Sequence, residues 1–213
     1  MSRKIPGGLF ISLEGGEGSG KSTLLEALRA FLEGEGLEVC VSREPGGPPI
    51  AEAVRDILLD RAHTAMDPLT ELFLYLASRR QNVVEVIRPR LEAGGAVICD
   101  RFLDASVAYQ GGGRRLGLER VDRLNAEAVE GTRPELTFLI DLDPELGLAR
   151  GPGDDGDRIE REASDFHHRV RETYREAARR EPERFVLLDG TMSREEVAGE
   201  ALAALRNLLA RKA

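Results

Sequence analysis

Residues 15–22 read Gly-Gly-Glu-Gly-Ser-Gly-Lys-Ser, which is a complete G-x-x-x-x-G-K-S phosphate-binding loop. An apolar run at residues 9–13 precedes the loop and predicts a buried strand, and leucines at helical spacing follow it. The glycines let successive backbone N–H groups point into one hollow, where the helix N-terminus adds the positive end of its dipole. This order of strand, loop and helix constrains the chain to an α/β architecture that binds phosphate groups. The predicted phosphate-binding residues are Gly15, Gly16, Glu17, Gly18, Ser19, Gly20, Lys21, Ser22 and Thr23.

Two side chains of the loop predict how a triphosphate and its metal ion are held. Lys21 can reach the β- and γ-phosphates, and the hydroxyl of Ser22 can bind Mg²⁺. Asp100 closes an apolar run at residues 96–99, the usual setting for a carboxylate that supports Mg²⁺ beside such a loop. We therefore predict Ser22 and Asp100 as the metal-binding residues and Mg²⁺ as the cofactor. A structural ion pair between Asp100 and Arg101 is the alternative.

Five apolar runs of strand length, separated by helical patterns, predict a five-stranded parallel sheet flanked by helices. The runs are residues 9–13, 39–41, 96–99, 136–142 and 185–188. Asp67 and Pro68 open a long helix, Pro89 ends or kinks it, and a capping box of Ser193 and Glu196 begins the last helix. Because no linker or repeat interrupts the chain, we predict a single domain over residues 1–213. A short lid is predicted at about residues 150–158, around a loop-like run rich in glycine and aspartate.

The composition excludes several classes of function. The formal charge of −8 and the pI of about 5.1 argue against general binding to nucleic acid or to an acidic membrane. No apolar run approaches the roughly 20 residues of a membrane span, and no signal-peptide stretch follows Arg3 and Lys4, which predicts a cytoplasmic protein. Cys40 and Cys99 lie in predicted strands and are interpreted as small buried apolar residues. The three histidines lack the spacing of zinc ligands.

Charged residues follow several of the predicted strands. In an open parallel sheet, ligands bind at the carboxyl ends of the strands, so these residues are expected to converge on one cleft. Arg43 follows the second strand, Asp100 and Arg101 the third, and Asp141 and Asp143 the fourth. A guanidinium group can bind two oxygens of a phosphate dianion together, which makes Arg43 and Arg101 candidates for binding a second phosphate.

Six motifs, in order and at matching spacing, make the chain resemble the bacterial thymidylate kinases over essentially its whole length. The motifs are the phosphate loop with Glu17, residues 43–47 (Arg-Glu-Pro-Gly-Gly), Tyr75 with Arg79, residues 100–102 (Asp-Arg-Phe), residues 108–114 (Ala-Tyr-Gln-Gly-Gly-Gly-Arg) and residues 157–160 (Asp-Arg-Ile-Glu). The resemblance implies a P-loop NTPase three-layer fold, ATP and thymidine monophosphate as substrates, thymidine diphosphate as product, and a homodimer. Catalysis would be electrostatic, since a phosphate monoester is mostly dianionic at neutral pH and needs no strong general base.

The resemblance also implies a role for each residue around the acceptor nucleotide. Arg43 and Arg101 would hold its phosphate, and Glu17, a carboxylate unexpected in a phosphate loop, would meet the 3′-hydroxyl. Tyr75 would lie against the thymine ring, and Arg79, one helical turn away, would donate to thymine O4. Periodicity alone would instead place Tyr75 in the core and Arg79 on the surface. The remaining acceptor residues would be Pro45, Ser106 near the base, Tyr109 against the 2′ position of the sugar, and Gln110.

The lid departs from the pattern of the family. Members without an arginine in the phosphate loop usually carry arginines in the lid, yet residues 151–157 hold three aspartates and no arginine. Arg150 and Arg158 flank this run, so we predict that one of them joins Lys21 and Arg101 as a catalytic residue that stabilises the transition state. An acidic lid is also expected to close less readily over ATP, which would make the enzyme slow.

Three alternatives remain open from the residues alone. A kinase for another nucleoside monophosphate or a small metabolite would share the fold and differ around Tyr75, Arg79 and Tyr109. A GTPase switch would need an N-K-x-D motif, which the chain lacks. A nucleotide-binding regulator without catalytic activity would be compatible with the acidic lid.

Overall fold

The computed structural model describes residues 3–150 and 156–212, so the centre of the predicted lid, residues 151–155, lies outside the described residues. The described strands are β1 (Leu9–Gly15), β2 (Val39–Arg43), β3 (Ala96–Asp100), β4 (Leu136–Asp141) and β5 (Phe185–Asp189). The described α-helices are α1 (Lys21–Gly34), α2 (Pro49–Leu59), α3 (Pro68–Asn82), α4 (Arg88–Glu92), α5 (Leu103–Ser106), α6 (Leu118–Val129), α7 (Pro144–Arg150), α8 (Ser164–Arg180) and α9 (Arg194–Arg211). Two π-helical segments, Val83–Ile87 and Val107–Gly113, continue α3 and α5.

The five strands of the described chain pair in parallel in one sheet, in the order β2-β3-β1-β4-β5. The central strands β1, β3 and β4 are almost wholly buried and largely apolar on both faces, as parallel strands covered by helices require. The register sets both Arg43 of β2 and Leu13 of β1 beside Asp100 of β3. The carboxyl ends of these strands therefore lie together, and the predicted parallel sheet is confirmed.

Helices cover both faces of the sheet. On one face, α1 and α9 bury apolar side chains such as Leu28 and Leu205 against the strands. On the other face, Val83 and Ile87 pack with Phe102 against β1 and β3. Two apolar layers thus enclose the sheet, and the predicted three-layer architecture is confirmed.

The sequence signals at the helix ends are confirmed, with a refinement at Pro89. The Asp67 carboxylate accepts hydrogen bonds from two backbone N–H groups at the start of α3, and Ser193 and Glu196 form the predicted capping box at the start of α9. The chain passes from α3 into the π-helical segment Val83–Ile87 before it reaches Pro89. Pro89 then occupies the first turn of α4, where a missing N–H group costs least.

The prediction of buried cysteines is confirmed for Cys99 and partly wrong for Cys40. Cys99 is fully buried on β3, whereas Cys40 is only half-buried because β2 is an edge strand. Over residues 3–150 and 156–212, no three His, Cys, Asp or Glu side chains form a group that could hold a metal ion. Over the same ranges, none of the helices combines the length and the apolarity that crossing a membrane requires.

Candidate active site

The phosphate loop joins β1 to α1, and its glycines are required by close backbone contacts. Gly18 has a φ of +61°, and a Cβ atom there would collide with the backbone oxygen of Gly147 in α7. Gly15 has a φ of +137°, and a Cβ atom there would lie 2.6 Å from the backbone oxygen of Ile140. α1 begins directly after Gly20, and no side chain caps its first N–H groups. Those N–H groups can therefore bind an anion.

Lys21, the first residue of α1, folds back along the loop. Its Nζ donates to the backbone oxygen of Gly16 at 2.8 Å, and only 8% of the residue is exposed. Burial, and after it the charge of Arg101, lower the pKa of Lys21 to about 8, while Asp100 and Glu17 act to raise it. The side chain is therefore mainly protonated at neutral pH and can neutralise phosphate oxygens.

A cavity of about 810 Å³ lies beside the loop, within the size range of small-molecule sites. The predicted residues that line it are Glu17, Gly18, Ser19, Gly20, Lys21, Ser22, Thr23, Arg43, Pro45, Tyr75, Arg79, Asp100, Arg101, Ser106, Tyr109, Gln110 and Arg150. Of the predicted site residues, Gly15, Gly16 and Arg158 do not line it. The phosphate loop and the residues expected around the acceptor therefore face the same space.

The two arginines expected at the acceptor phosphate differ in how firmly they are held. The Arg43 side chain, at the end of β2, is 54% exposed and its Nη2 donates to Glu52 Oε2 at 2.8 Å. Arg101 is more enclosed: its Nη1 donates to the backbone oxygen of Gly15 at 2.6 Å. The Arg101 guanidinium also lies 5.1 Å from the ring centroid of Tyr109. Arg101 is thus fixed beside the phosphate loop, whereas Arg43 forms an ion pair that is largely open to solvent.

Arg79 is 1% exposed, so the interpretation from periodicity alone, a surface arginine, is wrong. Its Nε donates to Glu44 Oε2 at 2.7 Å, and its Nη1 donates to both Ser106 Oγ and Asn125 Oδ1. Its Nη2 donates to the backbone oxygen of Phe102 at 3.0 Å. These partners, from distant parts of the chain, compensate the buried charge. Among residues 3–150 and 156–212, these bonds use four of the five N–H donors, so one Nη2 hydrogen can donate to a ligand.

Aromatic rings form another part of the cavity wall. Tyr75, a core residue by periodicity alone, is half-buried and lines the cavity, and burial raises the pKa of its hydroxyl. Tyr109 lies on the second π-helical segment, with ring centroids 6.1 Å from Phe166 and 6.2 Å from Tyr174 in edge-to-face contacts. Both α8 rings restrict Tyr109, so its side chain forms a rigid wall of the cavity.

Glu17 lies on the side of the loop that faces Arg101. Its Oε2 is 3.7 Å from Arg101 Nη2. Burial acts to raise the pKa of Glu17, but the charges of Lys21 and Arg101 outweigh it and hold the pKa below its ordinary value. The carboxyl group is therefore ionised at neutral pH and can accept a hydrogen bond from a ligand hydroxyl. Neighbouring cations explain why the loop tolerates a carboxylate.

Asp100 offers a test of the predicted metal site. Its Oδ1 is buried and has no hydrogen-bond partner among residues 3–150 and 156–212. A buried carboxylate oxygen without a partner is unfavourable unless a cation or a donor joins it. Ser22, exposed in the first turn of α1, lines the same cavity. Two protein oxygens beside a phosphate site suit Mg²⁺, which keeps the rest of its ligands as water and phosphate oxygens.

Two predicted carboxylates do not join the cavity. Asp141, the last residue of β4, and Asp143 accept hydrogen bonds from Arg171 of α8 at 2.7 and 3.0 Å. The expectation that they converge on the cleft with the other strand ends is wrong, because this arginine from a later helix draws both carboxylates toward α8.

The two arginines predicted to flank the lid lie in different places. Arg150, the last residue of α7, lines the cavity, and its Nη1 donates to the backbone oxygen of Gly190 at 3.3 Å. Arg158 does not line the cavity, because its Nη1 is 2.7 Å from Glu71 Oε2 and its Nε donates to the backbone oxygen of Leu58 at 2.9 Å. Of these two arginines, Arg150 faces the cavity where phosphates would bind and Arg158 does not.

Several buried polar residues support the site without having been given a role from the sequence. Glu44 and Asn125 hold Arg79, while Glu14 accepts the backbone N–H group that follows Arg101 and a hydrogen bond from an α8 tyrosine. Two of these residues could have been noticed in the sequence. Glu14 is a carboxylate inside an apolar strand, and Glu44 is a carboxylate directly after a strand. Asn125 offered no such signal, because its partners are remote in sequence.

A parallel sheet, a phosphate loop and two arginines, Arg43 and Arg101, that line one cavity with it define the class of P-loop nucleotide kinases. A family model described as thymidylate kinase matches residues 13–201. The thymidylate kinase of Halalkalibacterium halodurans is 46% identical over 205 residues, covering 95% of this chain and 98% of that protein. The thymidylate kinase of Halothermothrix orenii is 50% identical over 197 residues, covering 91% and 94%. The crystal structure of thymidylate kinase from Ehrlichia chaffeensis matches with a TM-score of 0.76 at 33% identity, covering 94% and 99%. The chain belongs to the thymidylate kinase family.

Proposed function

We propose that this protein transfers the γ-phosphoryl group of ATP to thymidine monophosphate, forming thymidine diphosphate and ADP. Members of its family carry out this reaction. The observation that carries the proposal is the single cavity in which the phosphate loop faces Arg43, Arg101 and the buried Arg79. A triphosphate on the loop and a monophosphate between Arg43 and Arg101 would meet within that cavity.

On the donor side, residues 15–23 would bind the phosphates of ATP. The N–H groups at the start of α1 would donate hydrogen bonds to phosphate oxygens, and Lys21 would exchange the backbone oxygen of Gly16 for the β- and γ-phosphates. Ser22 and Asp100 would hold Mg²⁺, as the unpaired buried Oδ1 of Asp100 supports. When bound there, the ion would neutralise negative charge on the phosphates.

On the acceptor side, Arg43 and Arg101 would bind the phosphate dianion. Arg101 already lies beside the loop, and Arg43 would exchange its exposed partner Glu52 for the phosphate. Glu17, ionised and next to Arg101, would accept a hydrogen bond from the 3′-hydroxyl of the deoxyribose.

The thymine base would lie along Tyr75, with Arg79 at its edge. The remaining Nη2 hydrogen of Arg79 would donate to thymine O4, and Ser106, which already accepts from Arg79, would lie nearby. Tyr109, restricted by the rings of α8, would occupy the space that a 2′-hydroxyl needs. The pocket would be completed by Pro45 and Gln110.

Catalysis would depend on positioning and on charge. With both phosphates in line, Lys21 and Arg101 would neutralise the charge on the transferring group. Arg150 is the favoured source of additional positive charge because it lines the cavity, and Arg158 is the second candidate because it adjoins the predicted lid. Closure of residues 150–158 as a lid would exclude water, which would otherwise be an alternative acceptor.

We also propose that the protein is a homodimer joined through α2 and α3. Ile50 and Ile57, two turns apart on α2, are 61% and 44% exposed, and Phe73 on α3 is 53% exposed. Apolar side chains clustered on two packed helices favour a protein partner. Light scattering should therefore give twice the chain mass for the wild type and the chain mass for Phe73→Glu. Leu187→Glu, on β5, is the control and should stay dimeric; a monomeric wild type would contradict the proposal.

Two broader expectations stay predictions: the single domain over residues 1–213, and the cytoplasmic location.

The kinase proposal itself is tested by an acceptor panel in a coupled assay of ADP release. Thymidine monophosphate should give the highest kcat/KM among deoxy- and ribonucleoside monophosphates, and Arg101→Met should lose most of the activity. Preference for another acceptor would favour a related kinase. Absence of ADP in a single turnover with Mg²⁺, ATP and thymidine monophosphate would favour a non-catalytic regulator.

A further inference from the structure

The backbone at Arg101 is in a conformation that needs support from its surroundings. Its φ is +65°, in the left-handed region that is unfavourable for a residue with a side chain. Its own N–H donates to the backbone oxygen of Leu13 at 2.9 Å. The next N–H, that of Phe102, donates to Oε1 of Glu14 at 2.8 Å. A side chain of β1 therefore holds the turn that directs Arg101 into the cavity.

Glu14 is fully buried and is connected to the Arg101 side chain as well as to its backbone. The hydroxyl of Tyr174, on α8, donates to Glu14 Oε2 at 2.7 Å. Arg101 Nη1 in turn donates to the same hydroxyl oxygen at 3.5 Å and to the backbone oxygen of Gly15 at 2.6 Å. The Glu14 carboxyl group is thus linked to the Arg101 backbone through the N–H group of Phe102. It is linked to the Arg101 guanidinium through the hydroxyl of Tyr174.

We propose that Glu14 and Tyr174 are positioning residues for Arg101. Glu14 holds the left-handed turn, and Tyr174 links the Glu14 carboxyl group to the guanidinium that would bind the acceptor phosphate. Neither residue lines the main cavity, so both act through Arg101. The inference rests on the proposed function, because that function gives Arg101 its ligand.

A merely structural role is the alternative, and it predicts a different result. Removing a buried hydrogen bond would then lower the stability of the fold and leave the affinity for thymidine monophosphate unchanged. A positioning role predicts instead a higher KM for the acceptor with an unchanged KM for ATP, because within residues 3–150 and 156–212 the Tyr174 hydroxyl makes hydrogen bonds to Glu14 and Arg101 and none to Lys21 or the loop N–H groups.

A double-mutant cycle between Tyr174→Phe and Arg101→Met separates the two roles. Tyr174→Phe keeps the ring, and we expect it to raise the KM for thymidine monophosphate about tenfold, a coupling of the size found between contacting residues. In the Arg101→Met background the same change should have no further effect. The proposal would be overturned if Tyr174→Phe raised the KM for thymidine monophosphate equally with Arg101 present and with Arg101→Met. It would also be overturned if Tyr174→Phe alone left that KM unchanged.

Glu14→Gln supplies the conservative variant, since its amide oxygen can still accept from Phe102 N–H. Its KM for the acceptor should stay within about threefold of wild type, whereas Glu14→Leu, which leaves that N–H unpaired, should match or exceed Tyr174→Phe. Leu205→Ala, at a core residue of α9, is the control for lost stability and should leave the KM for thymidine monophosphate unchanged. An increase in KM for Leu205→Ala equal to that of Tyr174→Phe would overturn the proposal. If Glu14→Leu does not fold, the Tyr174 cycle still decides.

The cycle should also be measured as the Kd for thymidine monophosphate by titration calorimetry. This binding measurement needs no turnover, so a wild type that binds the nucleotide but releases no ADP would refute the proposed activity alone. A wild type that is active, with Tyr174→Phe binding equally well, would refute the positioning role alone.

Discussion

The buried carboxyl group of Glu14 predicts that the fold loses stability as the pH rises from about 4.5 to about 8. Glu14 is fully buried, and burial first, then the negative charge of Asp104, raise its pKa from 4.5 to about 8. The hydrogen bonds from Tyr174 and from a backbone N–H group, together with the charge of Arg101, oppose this rise only in part. The other ionisable groups that interact with Glu14 are Lys21, Cys99 and Tyr109.

The sign follows from where the proton is bound. Between pH 4.5 and about 8, the folded state keeps a proton on Glu14 that the unfolded chain has already released. The free energy of unfolding therefore falls by about 1.4 kcal/mol per pH unit across this window. Over the whole window the loss is about 5 kcal/mol, complete once the pH passes about 8. A loss of that size is comparable to the total stability of a small protein.

Urea unfolding of the wild type and of Glu14→Gln at pH 5, 6, 7 and 8 measures this effect. The amide is neutral at every pH, so the difference in unfolding free energy between the two proteins isolates Glu14. We expect the advantage of the wild type to shrink steadily as the pH rises. Leu205→Ala, which removes no ionisable group, is the control and should give a difference that does not change with pH. A constant difference for Glu14→Gln would mean that Glu14 is ionised throughout, and the reasoning would fail.

Three further predictions follow from the site. Arg79→Met breaks an ion pair that is almost fully buried and should lower the unfolding free energy in urea by about 3–5 kcal/mol, whereas Arg29→Met, on the surface, should cause no measurable loss. Asp100→Asn should raise the Mg²⁺ concentration needed for half-maximal activity at least about tenfold in a titration, and an unchanged midpoint would remove Asp100 from the metal site. Arg150→Ala should lower kcat about a hundredfold in the ADP-release assay while Arg158→Ala mainly lowers stability; near-normal turnover in both would leave neither as the catalytic arginine.

The parts of the fold that could be predicted from the sequence are those set by local chemistry. The phosphate loop needs glycine at closely packed positions, and Asp67 and Ser193 cap helices through bonds to N–H groups two or three residues away. The apolar runs that become strands are continuous because parallel strands are covered on both faces. Each signal lies within a few residues of the structure that it predicts, so no knowledge of tertiary contacts was needed.

The parts that could not be predicted depend on partners that are distant in sequence. Arg79 has the spacing of a surface residue, and it is buried because Glu44 and Asn125 compensate its charge. Asp141 and Asp143 lie at the carboxyl end of a strand as active-site carboxylates do, yet a later helix supplies the arginine that binds them. In both cases the pairing of charges, not the apolar pattern, decides where the side chain lies, and only the folded structure reveals the pairs.

The two arginines proposed to bind the acceptor phosphate illustrate how the fold can divide one task between a fixed and an adaptable group. Arg43 and Glu52 are 54% and 35% exposed at their side chains, so their ion pair contributes about 0–1 kcal/mol and a phosphate dianion can replace it. Glu52 keeps a partner when this happens, because it also accepts the N–H group of Gly47 at 2.7 Å. Arg101, by contrast, is held at its backbone and its side chain before any ligand arrives. The acceptor phosphate would therefore be positioned by Arg101, whose side chain is 18% exposed, and enclosed by the more exposed Arg43, which can exchange its partner for the ligand.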